Sequence, residues 1–148
     1  MLALLVAGCT QDPTAPDRAP AEAAVPSPTA VPVLTLMTDV VTPAANTLLG
    51  VENPGADVEW RELADAAELT MRAFREIKSG GAGPNDMEWA ADPRWQAYSD
   101  AAIAAAGAAR QAIERRDLDA LLEANSKLSA PCEACHIAFH IGASPEES

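Results

Sequence analysis

Two cysteines and a histidine near the end of the chain constrain its fold more than any other feature. They are Cys132, Cys135 and His136, in the run PCEACH at residues 131–136. This CxxCH spacing is the one at which a c-type haem is attached to a protein. Two thiols three positions apart can each form a thioether with a vinyl group on one porphyrin edge, and the adjacent imidazole can then coordinate the iron. The motif therefore predicts haem c, bound through Cys132 and Cys135 with His136 as the proximal ligand.

Two other uses of these side chains compete with haem attachment. Cys132 and Cys135 could form a redox-active dithiol or a disulfide, but a redox CxxC usually accompanies a βαβ unit, and the sequence has no such pattern. The same thiols, with His136 and His140, could instead bind zinc. However, neighbouring side chains such as Cys135 and His136 seldom reach one small ion together. Haem attachment is therefore the favoured interpretation, and the other two remain alternatives.

The composition favours closely packed helices and an acidic surface. Of the 148 residues, 49% are hydrophobic, yet only 4% are aromatic and alanine is abundant. This mixture suits helices better than a β-sandwich. The formal net charge of −12 argues against binding to nucleic acid, because phosphates are neutralised by Lys and Arg. It favours protein partners with a basic patch, whose binding weakens as salt rises.

The N-terminal residues predict export from the cytoplasm. A short apolar run at residues 2–8 precedes Cys9 and resembles the lipobox of bacterial lipoproteins, in which this thiol is lipidated. The run is too short to span a bilayer and lacks the basic segment of a secretory signal, so we expect the natural start upstream. An ordinary secretory signal with a chance cysteine is the alternative. Under the Gram-negative sorting rule for lipoproteins, Thr10 directly after Cys9, in place of Asp, favours the outer membrane. The Pro- and Ala-rich residues 10–32 predict an extended linker. We therefore expect a lipid-anchored protein in the periplasm or at the cell surface.

Four amphipathic helices are predicted between residues 33 and 141. In the first, apolar residues follow the 3-and-4 spacing of one helical face, and Pro43 is expected to kink or divide it near residues 39–43. The second is expected to start at an Asp57 N-cap, and the third at Asp92-Pro93. A flexible loop is expected between them, from residue 79 to about 91. Asp117 should cap the fourth helix, which carries the CxxCH motif.

These elements predict an all-α fold, an antiparallel four-helix bundle at residues 33–141 with a polar tail at residues 142–148. Pro131 is expected to bend the last helix. The stretch 101–109 is nearly all alanine, so either a neighbouring helix or a flat prosthetic group could approach it closely. The predicted inward positions are Val33, Leu36, Met37, Val40, Val41, Ala44, Leu48, Trp60, Leu63, Ala64, Ala67, Met71, Phe74, Trp95, Tyr98, Ala102, Ile103, Ala106, Ile113, Leu118, Leu121, Leu122, Leu128, Cys132, Cys135, His136 and Phe139.

The position of CxxCH on the last of four helices, followed by Phe139, resembles the class II c-type cytochromes, the cytochrome c′ family. The usual c-type cytochrome carries the motif near its N-terminus. The resemblance extends over about residues 33–141, and it implies a haem inside the bundle opposite a residue of the first helix. In that position Met37 resembles the branch with a methionine as sixth ligand and low-spin iron, and His/Met ligation raises the haem potential. In the other branch an apolar residue leaves the iron five-coordinate.

Alternatives remain for two of these residues. Met37 could be a core residue, since Met fills irregular gaps well, and Met71 and Met87 are weaker candidates for the ligand. His140 stands where the family more often has an Arg or Lys that meets a haem propionate, and only its protonated form would supply the same charge. The resemblance also implies homodimers, which are frequent in this family.

The favoured function is electron transfer by a tethered c-type cytochrome acting with redox partner proteins. No enzyme is expected, because no nucleophile–base pair, phosphate loop or carboxylate cluster stands out from ordinary solvated helix faces. One alternative is a five-coordinate haem protein that binds NO or CO. Another is a haem-free lipoprotein module in which Cys132 and Cys135 form a disulfide.

Overall fold

The computed structural model describes residues 30–141, which are all-α, without a strand in that range. The three long helices pack antiparallel as a helical bundle, so the predicted all-α class is confirmed. The candidate lipidation residue Cys9, residues 10–29 of the predicted linker and the tail 142–148 lie outside the described residues. None of the described helices is long and apolar enough to cross a bilayer. The elements are α1 (Val33–Leu36), a π-helical turn (Met37–Val41), α2 (Thr42–Leu49), α3 (Asp57–Lys78), α4 (Asp86–Ala91), α5 (Pro93–Glu114) and α6 (Leu118–Ala138).

The first helical segment, residues 33–49, is continuous where a kink or a break was predicted. Pro43 has no N–H to donate to the carbonyl four residues earlier. The helix widens here instead, and Thr42 donates to the Met37 carbonyl from its N–H and, at 2.7 Å, from its hydroxyl. A π-helical turn of this kind accommodates a local misfit without ending the helix. The alternative of two separate pieces was therefore wrong, whereas the alternative of a kink stays a prediction. The inward positions are buried as predicted, except for the half-buried Val40.

The start of α3 differs from the prediction by one residue. Ala56 is the N-cap and Asp57 is the first helical residue. Because Ala56 has no side-chain acceptor, Glu59 supplies one, and its carboxylate accepts from the N–H groups of Ala56 (2.7 Å) and Gly55 (2.8 Å). These two bonds hold the pKa of Glu59 below its usual value. Asp57 is left free to pair with Arg116, at 2.6 Å.

The segment between α3 and α5 is more ordered than the predicted loop, because residues 86–91 form α4. Gly80 starts the turn with φ of +86°, a conformation that glycine adopts without steric cost. The Gln96 side chain then joins the ends of three helices, since its Nε2 donates to the carbonyls of Lys78 (2.9 Å) and Ala90 (2.7 Å). The expectation of a flexible loop to residue 91 was therefore wrong for α4.

Helix α5 lies between α3 and α6 and packs along both. The alanines on one face of α5 pack against these neighbours, since Ala102, Ala106 and Ala109 are at most 1% exposed, whereas Ala101, Ala104 and Ala108 are exposed. Small side chains allow helix axes to approach closely, so the alanine stretch serves helix packing here. The start of α5 is as predicted, with Asp92 accepting from the Arg94 N–H at 2.8 Å.

Helix α6 begins as predicted, with Asp117 accepting from the Ala120 N–H at 3.0 Å, and it runs through Pro131 to Ala138. Its buried stripe is Leu121, Ala124, Asn125 and Leu128, which is the i, i+3, i+4, i+7 pattern of one helical face. Leu122 lies beside that stripe and is 45% exposed. Its predicted inward position was therefore wrong.

Candidate functional site

The CxxCH motif occupies the last two turns of α6, with its cysteines on the side that faces the bundle. Cys135 is buried, at 7% exposure, and Cys132 is half-buried against the same core. His136 is exposed. The helix thus brings the two thiols to one inward side, while the imidazole lies towards solvent. The prediction that His136 shares the inward face with the cysteines was therefore wrong.

The end of α6 directly after the motif is fixed by a local hydrogen-bonding pattern. The Ile141 N–H donates to the His136 carbonyl at 3.1 Å, and the Phe139 N–H donates to the Cys135 carbonyl at 3.0 Å. Between them His140 adopts φ of +51°. This arrangement is a Schellman cap, with His140 in the left-handed position that usually belongs to glycine. His140 is therefore a helix-terminating residue in this structure, and its exposed side chain is not held by an ion pair within residues 30–141.

Burial makes both thiols weak acids. It raises the pKa of the Cys135 thiol to about 11, with a further contribution from Cys132, and it also raises the pKa of Cys132. A redox-active dithiol requires the opposite environment, because the thiolate is the nucleophile and a nearby cation or helix N-terminus normally favours it. The surroundings of these cysteines thus do not favour the dithiol alternative.

The zinc alternative also lacks support in the geometry. Within the described residues, no three His, Cys, Asp or Glu side chains are grouped so that they could hold a metal ion. Cys135 is buried while His136 and His140 are exposed, so these side chains do not converge. Cys132 and Cys135 are not joined as a disulfide.

A cavity of about 590 Å³ lies at this end of the bundle, between the first helical segment, the 82–86 loop, α4 and the end of α6. Its volume is within the range of small-molecule and cofactor pockets, roughly 300–1,000 Å³. One wall is aromatic and the opposite wall belongs to the start of the first helix. Its lining includes Val33, Leu34, Met37, Asp86, Trp89, Phe139, His140 and Ile141.

Met37 reaches this cavity from the first residue of the π-helical turn. It is 9% exposed and belongs to the hydrophobic core. The other two candidate methionines do not line the cavity: Met71 is buried in α3, and Met87 is 36% exposed on α4. Of these three, Met37 is therefore the one that lies at the cavity with the end of α6.

The two aromatic lining residues, Trp89 and Phe139, form a cluster with Trp95 behind them. Trp89 stacks on Trp95 with ring centroids 5.4 Å apart, and the edges of Trp89 and Trp95 meet Phe139 at 6.3 Å and 5.1 Å. Trp95 is fully buried, and its indole N–H donates to the Ile77 carbonyl at 2.9 Å. The Arg94 guanidinium lies 5.3 Å from the Phe139 ring centroid, a cation–π distance. The cluster thus joins α4 and α5 to the residues that follow the CxxCH motif.

Sequence reasoning missed Asp86, Trp89 and Arg94 at this site. Trp89 lay in a stretch predicted to be a loop, and an aromatic residue in a Gly-rich segment was the available signal that it packs inward. Asp86 is buried at 3% exposure, which nothing in its neighbourhood along the chain indicates. Arg94 was hidden in the first turn of α5, where its side chain also pairs with Asp92 at 2.7 Å.

The residues around the cavity suit a flat, largely apolar group such as haem in three respects. The two thiols lie on the inward side of α6 one to two turns before Phe139, the walls are aromatic and aliphatic, and the Met37 thioether is a soft donor of the kind that ligates haem iron. None of the CxxCH side chains lines the cavity itself: Cys132 and Cys135 face the core, and His136 is exposed. The structure therefore places Met37 at one cavity with the residues that follow the motif, and it leaves the predicted proximal ligand exposed.

No family model matches this chain, and no curated protein or solved structure is significantly similar to it.

Proposed function

We propose that this protein is an exported c-type cytochrome that transfers electrons through a haem bound covalently to Cys132 and Cys135. In this proposal His136 and Met37 are the axial iron ligands, and the helical bundle is a four-helix haem bundle similar to the class II cytochromes. The observation that carries the proposal is the CxxCH motif at the end of α6, whose two thiols face the core, followed directly by Phe139, His140 and Ile141, which line one cavity with Met37.

The residues of the site have separate roles. Cys132 and Cys135 would hold the cofactor by thioether bonds, and His136 would supply an imidazole nitrogen directly after the second cysteine. Met37 supplies a neutral sulfur that favours the reduced state of the iron and so raises its potential. When bound, the haem provides reversible one-electron exchange between Fe(III) and Fe(II). The protein itself performs no bond chemistry on a substrate.

The remainder of the chain fits a tethered electron carrier. A lipid on Cys9 would anchor the protein in the periplasm or at the cell surface, with the outer membrane favoured, and residues 10–32 would hold the haem domain away from the bilayer. The net charge of −12 favours redox partners with a basic patch. Pairing of two copies remains an expectation from the resemblance alone.

The cavity itself favours a second candidate, a five-coordinate haem protein that binds NO or CO. Space next to Met37 would admit a diatomic ligand if the thioether did not bind iron. The two candidates share the same covalent attachment and differ only in the sixth position.

Attachment is tested by expressing the full chain with a c-type haem maturation system. We expect a pyridine haemochrome spectrum of haem c and an intact mass increased by one haem. Cys132→Ala and Cys135→Ala should each leave at most one thioether and so shift the haemochrome spectrum, because one vinyl group stays free. The variant that lacks both thiols should lose the cofactor under denaturing conditions. Colourless protein from a competent host would refute the haem proposal and favour the disulfide alternative.

The sixth ligand is tested by Met37→Ala, with Met71→Ala as the matched control because Met71 is equally buried but does not line the cavity. We expect a low-spin spectrum in the wild type and in the control, and high-spin iron with rapid CO uptake in Met37→Ala. A wild-type protein that is high-spin as isolated and binds CO rapidly would favour the gas-binding candidate.

A further inference from the structure

We propose that Asp86, the first residue of α4, is a positioning residue that fastens the start of the first helical segment to the glycine-containing loop before α4 and thereby holds Met37 at the cavity. The part of this inference that concerns iron ligation rests on the proposed function. The fastening itself depends only on the geometry of the described residues.

The fastening consists of two hydrogen bonds to one carboxylate oxygen. Asp86 Oδ2 accepts from the Val33 N–H at 2.8 Å and from the Gly83 N–H at 2.7 Å. Val33 is the first residue of α1, and the first N–H groups of a helix have no partner within it. A side chain 53 residues away in sequence thus supplies the acceptor that no residue of the helix provides.

The environment of Asp86 indicates that this contact is specific. The residue is 3% exposed, and within residues 30–141 no cation forms an ion pair with it. A buried carboxylate is costly unless it is hydrogen-bonded. The backbone N–H groups and the positive end of the first helical segment therefore supply the stabilisation that keeps it inside.

Two glycines make room for the carboxylate. A Cβ atom on Gly81 would lie 2.6 Å from Asp86 Oδ2 and 2.5 Å from the Val31 carbonyl oxygen. A Cβ atom on Gly83 would lie 2.7 Å from both carboxylate oxygens. A larger residue at Gly83 would displace the Asp86 carboxylate, and one at Gly81 would displace the carboxylate together with the backbone at Val31. The loop therefore leaves room for this side chain.

Met37 lies one turn after Val33 and lines the same cavity as Asp86. At its other end, the first helical segment is fastened by Asn125, whose Nδ2 donates to the Leu48 carbonyl at 2.5 Å. Asn125 is also buried, but it acts 11 residues beyond Met37. The two fastenings thus offer a matched comparison, one close to the methionine and one distant from it.

The experiment compares Asp86→Ala, Asp86→Asn and Gly81→Ala with the control Asn125→Ala in the full chain. Amide hydrogen exchange, measured with and without haem, should accelerate roughly tenfold or more at residues 33–41 in Asp86→Ala and Gly81→Ala, because charged hydrogen bonds are lost. Asp86→Asn keeps an acceptor oxygen and should show a smaller increase. Asn125→Ala should accelerate exchange at residues 44–49 instead.

A spectroscopic readout separates positioning of Met37 from general destabilisation. In ferrous haem protein, Asp86→Ala and Gly81→Ala should bind CO roughly tenfold faster than wild type and show a high-spin fraction, whereas Asn125→Ala should keep the wild-type spectrum. Should Asp86→Ala fail to fold, Gly81→Ala and Asp86→Asn carry the same comparison.

The outcomes distinguish this inference from the proposed function. If the wild type is low-spin and exchange at residues 33–41 is unchanged in the Asp86 and Gly81 variants, the fastening is refuted while the cytochrome stands. If the wild type is high-spin or colourless, His/Met ligation is refuted, and hydrogen exchange alone decides whether Asp86 fastens the segment.

Discussion

Trp95→Phe tests whether the aromatic cluster organises this end of the bundle. Trp95 is fully buried and is the only ring of the cluster whose hydrogen bond to the backbone is seen within the described residues. The substitution keeps an aromatic ring next to Trp89 and Phe139 but removes the indole N–H and two ring carbons. It therefore separates the hydrogen bond and the packing from the aromatic character of the site.

The size of the effect follows from these losses. Removing two buried carbons costs about 1.6 kcal/mol, at about 0.8 kcal/mol for each. The lost hydrogen bond adds about 1 kcal/mol, the lower end of the cost of leaving a buried polar group without its partner. The cost is low because the Ile77 carbonyl still accepts from the Gly80 N–H at 3.0 Å. We expect the free energy of unfolding to fall by about 2–3 kcal/mol.

Urea denaturation followed by far-UV circular dichroism measures this change, with wild type and variants compared in the same haem state. The control is Trp89→Phe, since Trp89 is half-buried and stacks on Trp95 but donates no hydrogen bond within residues 30–141. It should cost about 1 kcal/mol or less. If Trp95→Phe destabilises the protein no more than Trp89→Phe, the role assigned to the buried indole is wrong.

Two further predictions concern titratable groups. In haem-free protein at neutral pH, iodoacetamide should modify Cys132 faster than Cys135, because Cys135 is the more buried and its thiol has a pKa of about 11. Peptide mass spectrometry measures both rates. Fast and equal modification of the two thiols would contradict the burial of Cys135. Glu59→Gln should be less stable than wild type at pH 7, and the difference should shrink as the pH falls below about 4.5, since a group with a lowered pKa stabilises the fold only while it is ionised. Glu62→Gln, on the same exposed side of α3, is the control for this second comparison, and a difference that persists at low pH would refute the role of the charge.

Local signals in the sequence predict the long helices well. Asp92-Pro93 and Asp117 correctly mark the starts of α5 and α6. Both can be recognised locally, because each aspartate accepts a capping hydrogen bond from an N–H no more than three residues away. The apolar spacing of the first segment likewise identifies its buried face, because helical geometry alone determines which side chains share a face. These features depend on short stretches of chain.

Features that depend on distant contacts are not predictable in this way. A charged residue in a Gly-rich stretch, such as Asp86, is expected at the surface. Its burial depends on the hydrogen bond that it accepts from the distant Val33 N–H. Asn125, and not Leu122, shares the buried face of α6 with Leu121 and Leu128, and its Nδ2 donates to the Leu48 carbonyl, which reverses the order expected from hydrophobicity. The exposure of His136 depends on how the end of α6 meets α4 and α5, and the motif spacing carries no information on that.

The π-helical turn shows how two such influences combine, since both Pro43 and the buried stripe favour it. Fifteen residues separate Val33 from Leu48, and in an ideal α-helix they would rotate about 60° beyond four full turns. The wider turn removes this excess, so that both ends of the segment, at 1% and 0% exposure, face the core. Its position therefore matches the burial pattern as well as the proline.

Pro43→Ala decides which influence dominates. Closing the turn into an α-helix would add about one hydrogen bond, which contributes about 1 kcal/mol. It would also rotate Val33, Leu36 and Met37 partly out of the core, where burial of each side chain contributes roughly 1.5–3 kcal/mol to stability. Burial should win, so we expect the turn to persist and stability to change by less than about 1 kcal/mol, part of it from the greater freedom of the unfolded chain. Mild peroxide oxidation of haem-free protein measures the exposure of Met37, with the 36% exposed Met87 as the internal reference. Oxidation of Met37 at the rate of Met87 in Pro43→Ala, but not in wild type, would show that the proline and not the core holds the methionine in place.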